Sequence, residues 1–351
     1  MMNIFELYAD KSRHEELAEI FTYGAQHHPQ GLAANFLEKD IWVTEILRLL
    51  YDEKLLGEFS VAFKGGTALS KCWEAISRFS EDIDLSIHWA DLSGHTEEEE
   101  LAAWSQSTKN RSQSAKFRKA QQKQLQAWSA ALVDSLNERL SQYNIDGLYS
   151  EMEDGSGGEK IDIHFPRITK GTHDYQLDHI LLEFGGRNRG KPTKTITVDC
   201  YLGHTPGLEQ LVLPKAQVSA YQAEYILWEK LTALHQFCSQ DNPPNPDRLA
   251  RHWYDVDCLL TMEFADPLNS DTARNDVIEM KKHRWASPGV DYEAILAGGL
   301  LLVLDEERLV EIAKDHDNAI KGGMFFTTPD SFSMILDRLK AVQDQINQQF
   351  K

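Results

Sequence analysis

Long apolar runs are what this sequence most clearly lacks. No stretch reaches the roughly 18 residues that a membrane-crossing helix needs, so no membrane partner is expected. Asn3, Glu6 and Asp10 interrupt the apolar residues at the N-terminus, which is not the pattern of a secretory signal. Cysteine is scarce as well. Cys72, Cys200, Cys238 and Cys258 are far apart and none sits at metal-ligand spacing, which argues against a disulfide framework or a zinc module and for a reducing cytoplasm. Basic charge is in deficit: 36 Lys and Arg against 55 Asp and Glu give a formal net charge of −19. That balance disfavours an extended, non-specific grip on nucleic acid, which needs many cation–phosphate contacts. No internal repeat, no nucleophile–histidine–acid set and no Walker spacing is present. His164, His173, His179 and His283 are scattered without the spacing of a metal site and are expected to be structural.

The 351 residues have ordinary globular composition and length for two to three modules. Residues 1–58 read as helical, with Leu37, Ile41, Leu47 and Leu50 near helical spacing. A short strand over 60–64 runs into Gly65-Gly66; Thr67 is expected to cap a helix over 68–77, and 82–89 reads as a second strand. Four glutamates, Glu97 to Glu100, open a helical insertion over about 97–142 that places Leu125, Trp128, Leu132, Leu136 and Leu140 on one stripe. Strands are predicted at 161–165, 180–184 and 195–201. From Ser219 the pattern is helical to the end, interrupted at Pro243-Pro244-Asn245-Pro246 and over about 263–290; Thr328-Pro329 precedes a last helix bearing Phe332, Ile335, Leu339, Val342 and Ile346. The expectation is an α+β fold: an N-terminal helical segment (1–58), a small mixed β-sheet core (59–215) with flanking helices, and a helical C-terminal domain (216–351). Two basic clusters, Lys109, Arg111, Lys116, Arg118, Lys119 and Lys123, and then Arg187, Arg189, Lys191 and Lys194, are either solvated surface or RNA contacts.

The most informative segment is Phe63-Lys64-Gly65-Gly66-Thr67-Ala68-Leu69-Ser70-Lys71 followed by Arg78-Phe79-Ser80-Glu81-Asp82-Ile83-Asp84-Leu85. Residues two apart on a strand share a face, so Asp82 and Asp84 would aim at one point while Ile83, Leu85 and Ile87 face the core. Two convergent carboxylates repel by about 1–4 kcal/mol near 4 Å, and a hard divalent ion removes that cost; Mg²⁺ takes one or two carboxylates plus substrate phosphates. Upstream, Gly65 and Gly66 allow close backbone approach, the amides at a helix start favour anions, and Thr67 and Ser70 add hydroxyls. Lys71 and Ser80 complete the set expected to bind a polyphosphate. Together these point to phosphoryl or nucleotidyl transfer.

This arrangement resembles the polymerase-β-like nucleotidyltransferase superfamily and, within it, is similar to the AbiEii/AbiGii family of nucleotidyltransferase toxins. Further counterparts are Glu38-Lys39-Asp40, Leu182-Glu183-Phe184-Gly185, Glu229-Lys230-Leu231, Arg251-His252, Tyr254-Asp255 and a last helix containing Asn347, so the resemblance covers most of residues 35–348. It implies a third carboxylate at Glu183, which shares a strand face with Leu181 and Gly185, with Asp162 on the preceding strand as the rival. It implies that Lys230 contacts the nucleotide triphosphate. Arg251 and Asp255 match an Arg-x-x-Tyr-Asp element, and His252 stands where relatives are often acidic, so no role is assigned to it.

The implied chemistry is a Mg²⁺- or Mn²⁺-dependent nucleotidyltransferase. Asp82, Asp84 and Glu183 would be metal ligands, with Lys230 and Asp255 joining them as catalytic residues. Gly65, Gly66, Thr67, Ser70, Lys71, Ser80 and Lys230 would bind the NTP. The resemblance further implies a cytoplasmic toxin of a toxin–antitoxin or phage-defence system, with a cognate antitoxin and an RNA acceptor such as a tRNA 3′ end. Modification of a protein hydroxyl and a silent nucleotide-binding role remain the alternatives.

Overall fold

The computed structural model describes residues 2–169, 177–186, 190–240, 245–263, 266–284, 287 and 289–351. A two-residue strand β1 (Met2–Asn3) leads into helices α1 (Ile4–Ala9), α2 (His14–His27) and α3 (Ala34–Tyr51). Then come β2 (Val61–Lys64), α4 (Gly65–Lys71), β3 (Ile83–Ile87), α5 (Trp89–Ser93), α6 (Glu97–Thr108) and the long α7 (Arg111–Ser141). The strands β4 (Tyr149–Met152), β5 (Lys160–His164), β6 (Ile180–Gly185), β7 (Thr193–Asp199), β8 (Leu211–Val212) and β9 (Lys215–Tyr221) follow. The chain closes with helices α8 (Ala223–Ser239), α9 (Arg251–Leu259), α10 (Asp271–Arg284), α11 (Glu306–Lys321) and α12 (Phe332–Gln349). No helix among the described residues is long and apolar enough to cross a membrane.

Seven strands form one mixed sheet in the order β4-β5-β6-β3-β2-β9-β7, and β1 pairs with β8 separately. Within the seven-stranded sheet β3 runs parallel to β6 and β2 parallel to β9, and its other neighbours are antiparallel; β1 and β8 are parallel. The fold is mixed α/β, as expected from the alternation of patterns. Ile83, Leu182 and Ile161 stand in register across three strands and are fully buried, as are Phe63 and Leu85 beside Phe184. These apolar rows fix the register, because a one-residue slip would turn every one of them to the opposite face.

Two compact units emerge. One contains Met1–Cys72, Phe79–Ala103 and Phe117–Tyr221; the other contains Trp73–Arg78, Trp104–Lys116 and Gln222–Lys351. In the first, α3 is buried around its whole circumference, with every residue from Asn35 to Leu47 buried. Charged residues on such a helix need partners inside the protein. In the second, the start of α9 has no cap of its own; Asp315 of α11 accepts from Arg248 N and Ala250 N, both at 2.8 Å. Trp253 donates from its indole to Leu302 O at 2.8 Å, and Arg338 of α12 grips Asp257 through two hydrogen bonds.

Several local expectations differ from what forms. The helix after the glycine pair begins at Gly65, not Ala68, and ends at Lys71; Lys64 is its cap residue, so Thr67 lies inside it. β3 starts at Ile83 and stops at Ile87, leaving Asp82 just before the strand and Trp89 opening α5. The insertion is two helices, α6 and α7. β9 occupies residues that read as the onset of the helical half. Its alternation is carried by the small residues Ala216, Val218 and Ala220, which give a weak apolar signal.

Candidate active site

Gly65 adopts φ = +73°, a left-handed conformation that side-chain-bearing residues rarely take. This bend turns β2 directly into α4. A Cβ built on Gly65 would overlap the Asp84 carboxylate and lie 2.8 Å from Asp84 Cβ. The carboxylate therefore rests against bare backbone at the first residue of α4, where helical N–H groups lack intrahelical partners. Gly65 and Asp84, nineteen positions apart in the sequence, meet because Lys64 and Asp84 are antiparallel partners across β2 and β3.

The same register extends the site. Asp84 stands opposite Glu183 on β6, and Glu183 stands opposite Lys160 on β5. Directly opposed residues raise their side chains from the same face of a sheet, so Lys64, Asp84, Glu183 and Lys160 form one transverse row: two acids bracketed by two lysines. Glu183 is exposed and Asp84 half-buried. Asp162, the rival third carboxylate, faces Leu181 in register and pairs with His179 Nε2 at 3.3 Å. It sits on β5, two strands from Asp84. Lys64 escaped the sequence reading; its position immediately before Gly65 on a predicted strand was the available signal.

The hydroxyls beside the glycines hold protein rather than open space. Thr67 is inaccessible; its Oγ1 donates to the Asp82 carbonyl at 2.5 Å and lies 3.0 Å from Ser80 Oγ. This clamp fixes the backbone that precedes the two aspartates. Ser70 Oγ donates to Thr67 O at 3.1 Å. Lys71, expected beside a phosphate, is instead turned inward: its Nζ is 2.5 Å from Asp40 Oδ1, over the Tyr201 ring, with its side chain only 2% exposed. Burial opposes that charge, but Asp40, then Tyr201 and Cys200, together outweigh it and raise the lysine's pKa.

Glu38-Lys39-Asp40 explains why such charges tolerate burial. Successive residues on α3 point in different directions, about 100° apart, and each reaches a different segment. Glu38 accepts from Ile168 N at 2.7 Å and Thr169 N at 2.9 Å. Lys39 donates to Glu81 and to Leu177 O, both at 2.8 Å. Asp40 takes Lys71 and, at 2.5 Å, Tyr201 N. Glu81, next to Asp82, is thereby anchored from α3.

In the helical unit, Asp255 is inaccessible and receives Arg78 in bidentate fashion, Nε to Oδ1 and Nη2 to Oδ2, both at 2.7 Å. Lys230 donates to the same Oδ2 at 2.8 Å. Burial alone would raise this carboxyl's pKa; the two cations outweigh it and hold it well below the usual carboxylate range. The strong partners of Asp255 are thus Arg78 and Lys230, beyond the helix neighbour Arg251 that spacing suggested. Arg78 lies within the motif, but nothing in linear spacing ties it to position 255. His252 is kept neutral by burial and then by the nearby positive charges of Lys230 and Arg251, its pKa falling well below the ordinary value.

The remaining residues are structural in placement. His164 stacks on Tyr149 and lies 3.1 Å from Glu151, and His179 pairs with Asp162. His173, Arg187 and Arg189 lie outside the described residues. Burial pushes Cys72, Cys200 and Cys238 up to about 12 and Cys258 up to about 11, so none is poised as a thiolate.

Among the described residues no group of three or more His, Cys, Asp or Glu side chains could hold a metal ion unaided. Asp84 and its neighbours nevertheless fit a hard cation in kind. They offer carboxylate oxygens, with that of Asp84 seated on the bare backbone of Gly65, and Mg²⁺ completes its shell from substrate and water.

A family model described as "Nucleotidyl transferase AbiEii toxin, Type IV TA system" matches residues 48–338. Among solved structures the chain is similar to MenT4, the nucleotidyltransferase toxin Rv2826c from Mycobacterium tuberculosis H37Rv. The two are 14% identical, the match covers 94% of this chain and 99% of that chain, and the TM-score is 0.46. No curated protein sequence matches.

Proposed function

Because the chain belongs to the AbiEii family of nucleotidyltransferase toxins of type IV toxin–antitoxin systems, we propose that it transfers a nucleoside monophosphate from an NTP to an RNA hydroxyl, such as a tRNA 3′ end, breaking the α–β phosphoanhydride bond and releasing pyrophosphate. The observation that carries this reading is the Asp84 carboxylate seated on the Gly65 backbone with Glu183 beside it in register. Asp82 and Asp84 would hold Mg²⁺ or Mn²⁺, which would supply positive charge to offset that developing on the reacting oxygens.

The protein's own groups supply position and charge. Gly65 and Gly66 let the phosphates approach the backbone amides of α4, while Thr67 and Ser80 hold the Asp82 segment still. Lys64 adds a positive charge in the row of Asp84. Glu183, exposed and next to Asp84 in register, orients the attacking hydroxyl and takes its proton. Asp255 is unsuited to that task, because its oxygens are occupied by Arg78 and Lys230 and its basicity is low. Its role is to position Lys230, to which we assign contact with the triphosphate. The antitoxin partner follows from the family; a place in phage defence is part of the same proposal.

The test is incubation of the purified chain with each radiolabelled NTP and deproteinised total RNA, in parallel with cell lysate. Label in RNA that disappears in an Asp84→Asn variant is the expected result. Label in polypeptide alone overturns the RNA assignment, and equal labelling by the variant overturns the site.

A further inference from the structure

Between Leu101 and Val133 the chain carries six lysines and arginines and not one Asp or Glu, although its formal charge is −19. About one residue in six of the whole sequence is acidic, so this gap is a local inversion of the protein's charge. Most of it lies on α7. With successive residues turning by about 100°, Lys116, Lys119 and Lys123 fall within roughly 60° of one another and along about 10 Å of helix axis. All three are exposed. None takes part in an ion pair among the described residues. The positions in and flanking this arc, Ser112, Ala115, Ala120, Gln126 and Ala127, are exposed too, and are neutral and mostly small.

A solvated helix face ordinarily interleaves acids and bases at i,i+4, because like charges at that spacing repel by a few tenths of a kcal/mol per pair. Here the repulsion is left standing and the intervening side chains are short, so a flat polyanion can come close to all three ammonium groups. We propose that this face of α7 binds the phosphodiester backbone of the RNA acceptor. The inference rests on the RNA reading given above and deepens it: sequence-independent contacts on α7 hold the acceptor while the carboxylate row acts on its hydroxyl. Backbone contacts of this kind fix register without reading bases.

The test uses the intact chain and a Lys116→Ala/Lys119→Ala/Lys123→Ala variant, in which alanine, the strongest helix former, preserves α7. Filter binding of deproteinised total RNA is measured from 50 to 200 mM salt, alongside NMP transfer and thermal melting. We expect unchanged melting, an unchanged KM for NTP, and RNA binding weakened at least about 10-fold at low salt. The slope of log affinity against log salt should flatten by about two units, since each lost phosphate contact removes roughly 0.7–0.9. A variant that binds and labels RNA like the parent, with the same slope, overturns the α7 assignment and leaves the transfer reading intact. A parent chain that neither binds nor labels RNA overturns both. Vesicles containing phosphatidylserine and poly-glutamate serve as competing anions; loss of binding to either of these with RNA binding unaltered also overturns the proposal.

Discussion

The carboxylate of Asp84 occupies the space that a side chain on residue 65 would need. Glycine is therefore required at position 65 twice over, by its φ of +73° and by the acid pressed against it. Gly65→Ala imposes a left-handed penalty of about 1–2 kcal/mol and forces Asp84 to move. We expect a melting temperature lowered by a few degrees and NMP transfer lowered at least about 100-fold, because small displacements of a positioned group are costly in catalysis. Single-turnover labelling and circular dichroism of the purified variant measure the two effects. Parental activity would show that the position of Asp84 is not critical.

The register separates the two candidates for the third carboxylate. Glu183 neighbours Asp84 directly, whereas Asp162 is two strands away and paired with His179. Asp84→Asn is expected to abolish transfer, Glu183→Gln to lower kcat by about 10²–10⁴-fold, and Asp162→Asn to leave kcat within a factor of about three. Steady-state kinetics of the three variants settle the order, and an Asp162→Asn loss as large as that of Glu183→Gln would reverse it.

Much of the central sheet is legible in the sequence because its strands carry strong patterns. Ile83, Leu85 and Ile87 alternate with polar residues, and all three are buried. The pairing of Lys64, Asp84 and Glu183 is not legible, since register is set by strands far apart in the chain. β9 was missed because Ala216 and Ala220 contribute little apolar signal, although the strand lies between β2 and β7. The helix start was misplaced by reading Thr67 as a cap; its hydroxyl is used on Asp82 and Ser80 instead. The clasp of Arg78 on Asp255 spans 177 positions and leaves no local trace.

Lys71 illustrates how a well-placed cation in a motif can serve the core. Its pair with Asp40 is buried on both sides, and removing one member of a buried pair costs about 3–5 kcal/mol because the other is left uncompensated. Lys71→Met should therefore lower stability by about that amount while the KM for NTP of the remaining folded enzyme stays unchanged. Chemical denaturation and kinetics at low temperature separate the effects. An undiminished melting temperature with a KM raised more than about 10-fold would return Lys71 to the nucleotide.

The helical unit should report its buried charges through pH. Asp255 has a folded-state pKa below its unfolded value of about 3.9, so its contribution to stability is complete above that value and is lost as pH falls toward the folded pKa. His252 also has a depressed pKa, and for it the window begins at about 6.5: below that pH the unfolded chain binds a proton that the folded protein refuses. Urea unfolding from pH 7.5 to 3 should thus show two losses of stability, a first beginning near pH 6.5 and a second near pH 4. His252→Phe should reduce the first, to which His28 and His235 also contribute because burial lowers their pKa values, without touching the second. Asp255→Asn should lower stability at pH 7 by about 3–5 kcal/mol, since it strands the Arg78 and Lys230 charges, and its difference from the parent should narrow below pH 4. A constant difference down to pH 3 would mean that Asp255 does not hold its charge against these partners, and its assignment as the anchor of Lys230 would fail with it.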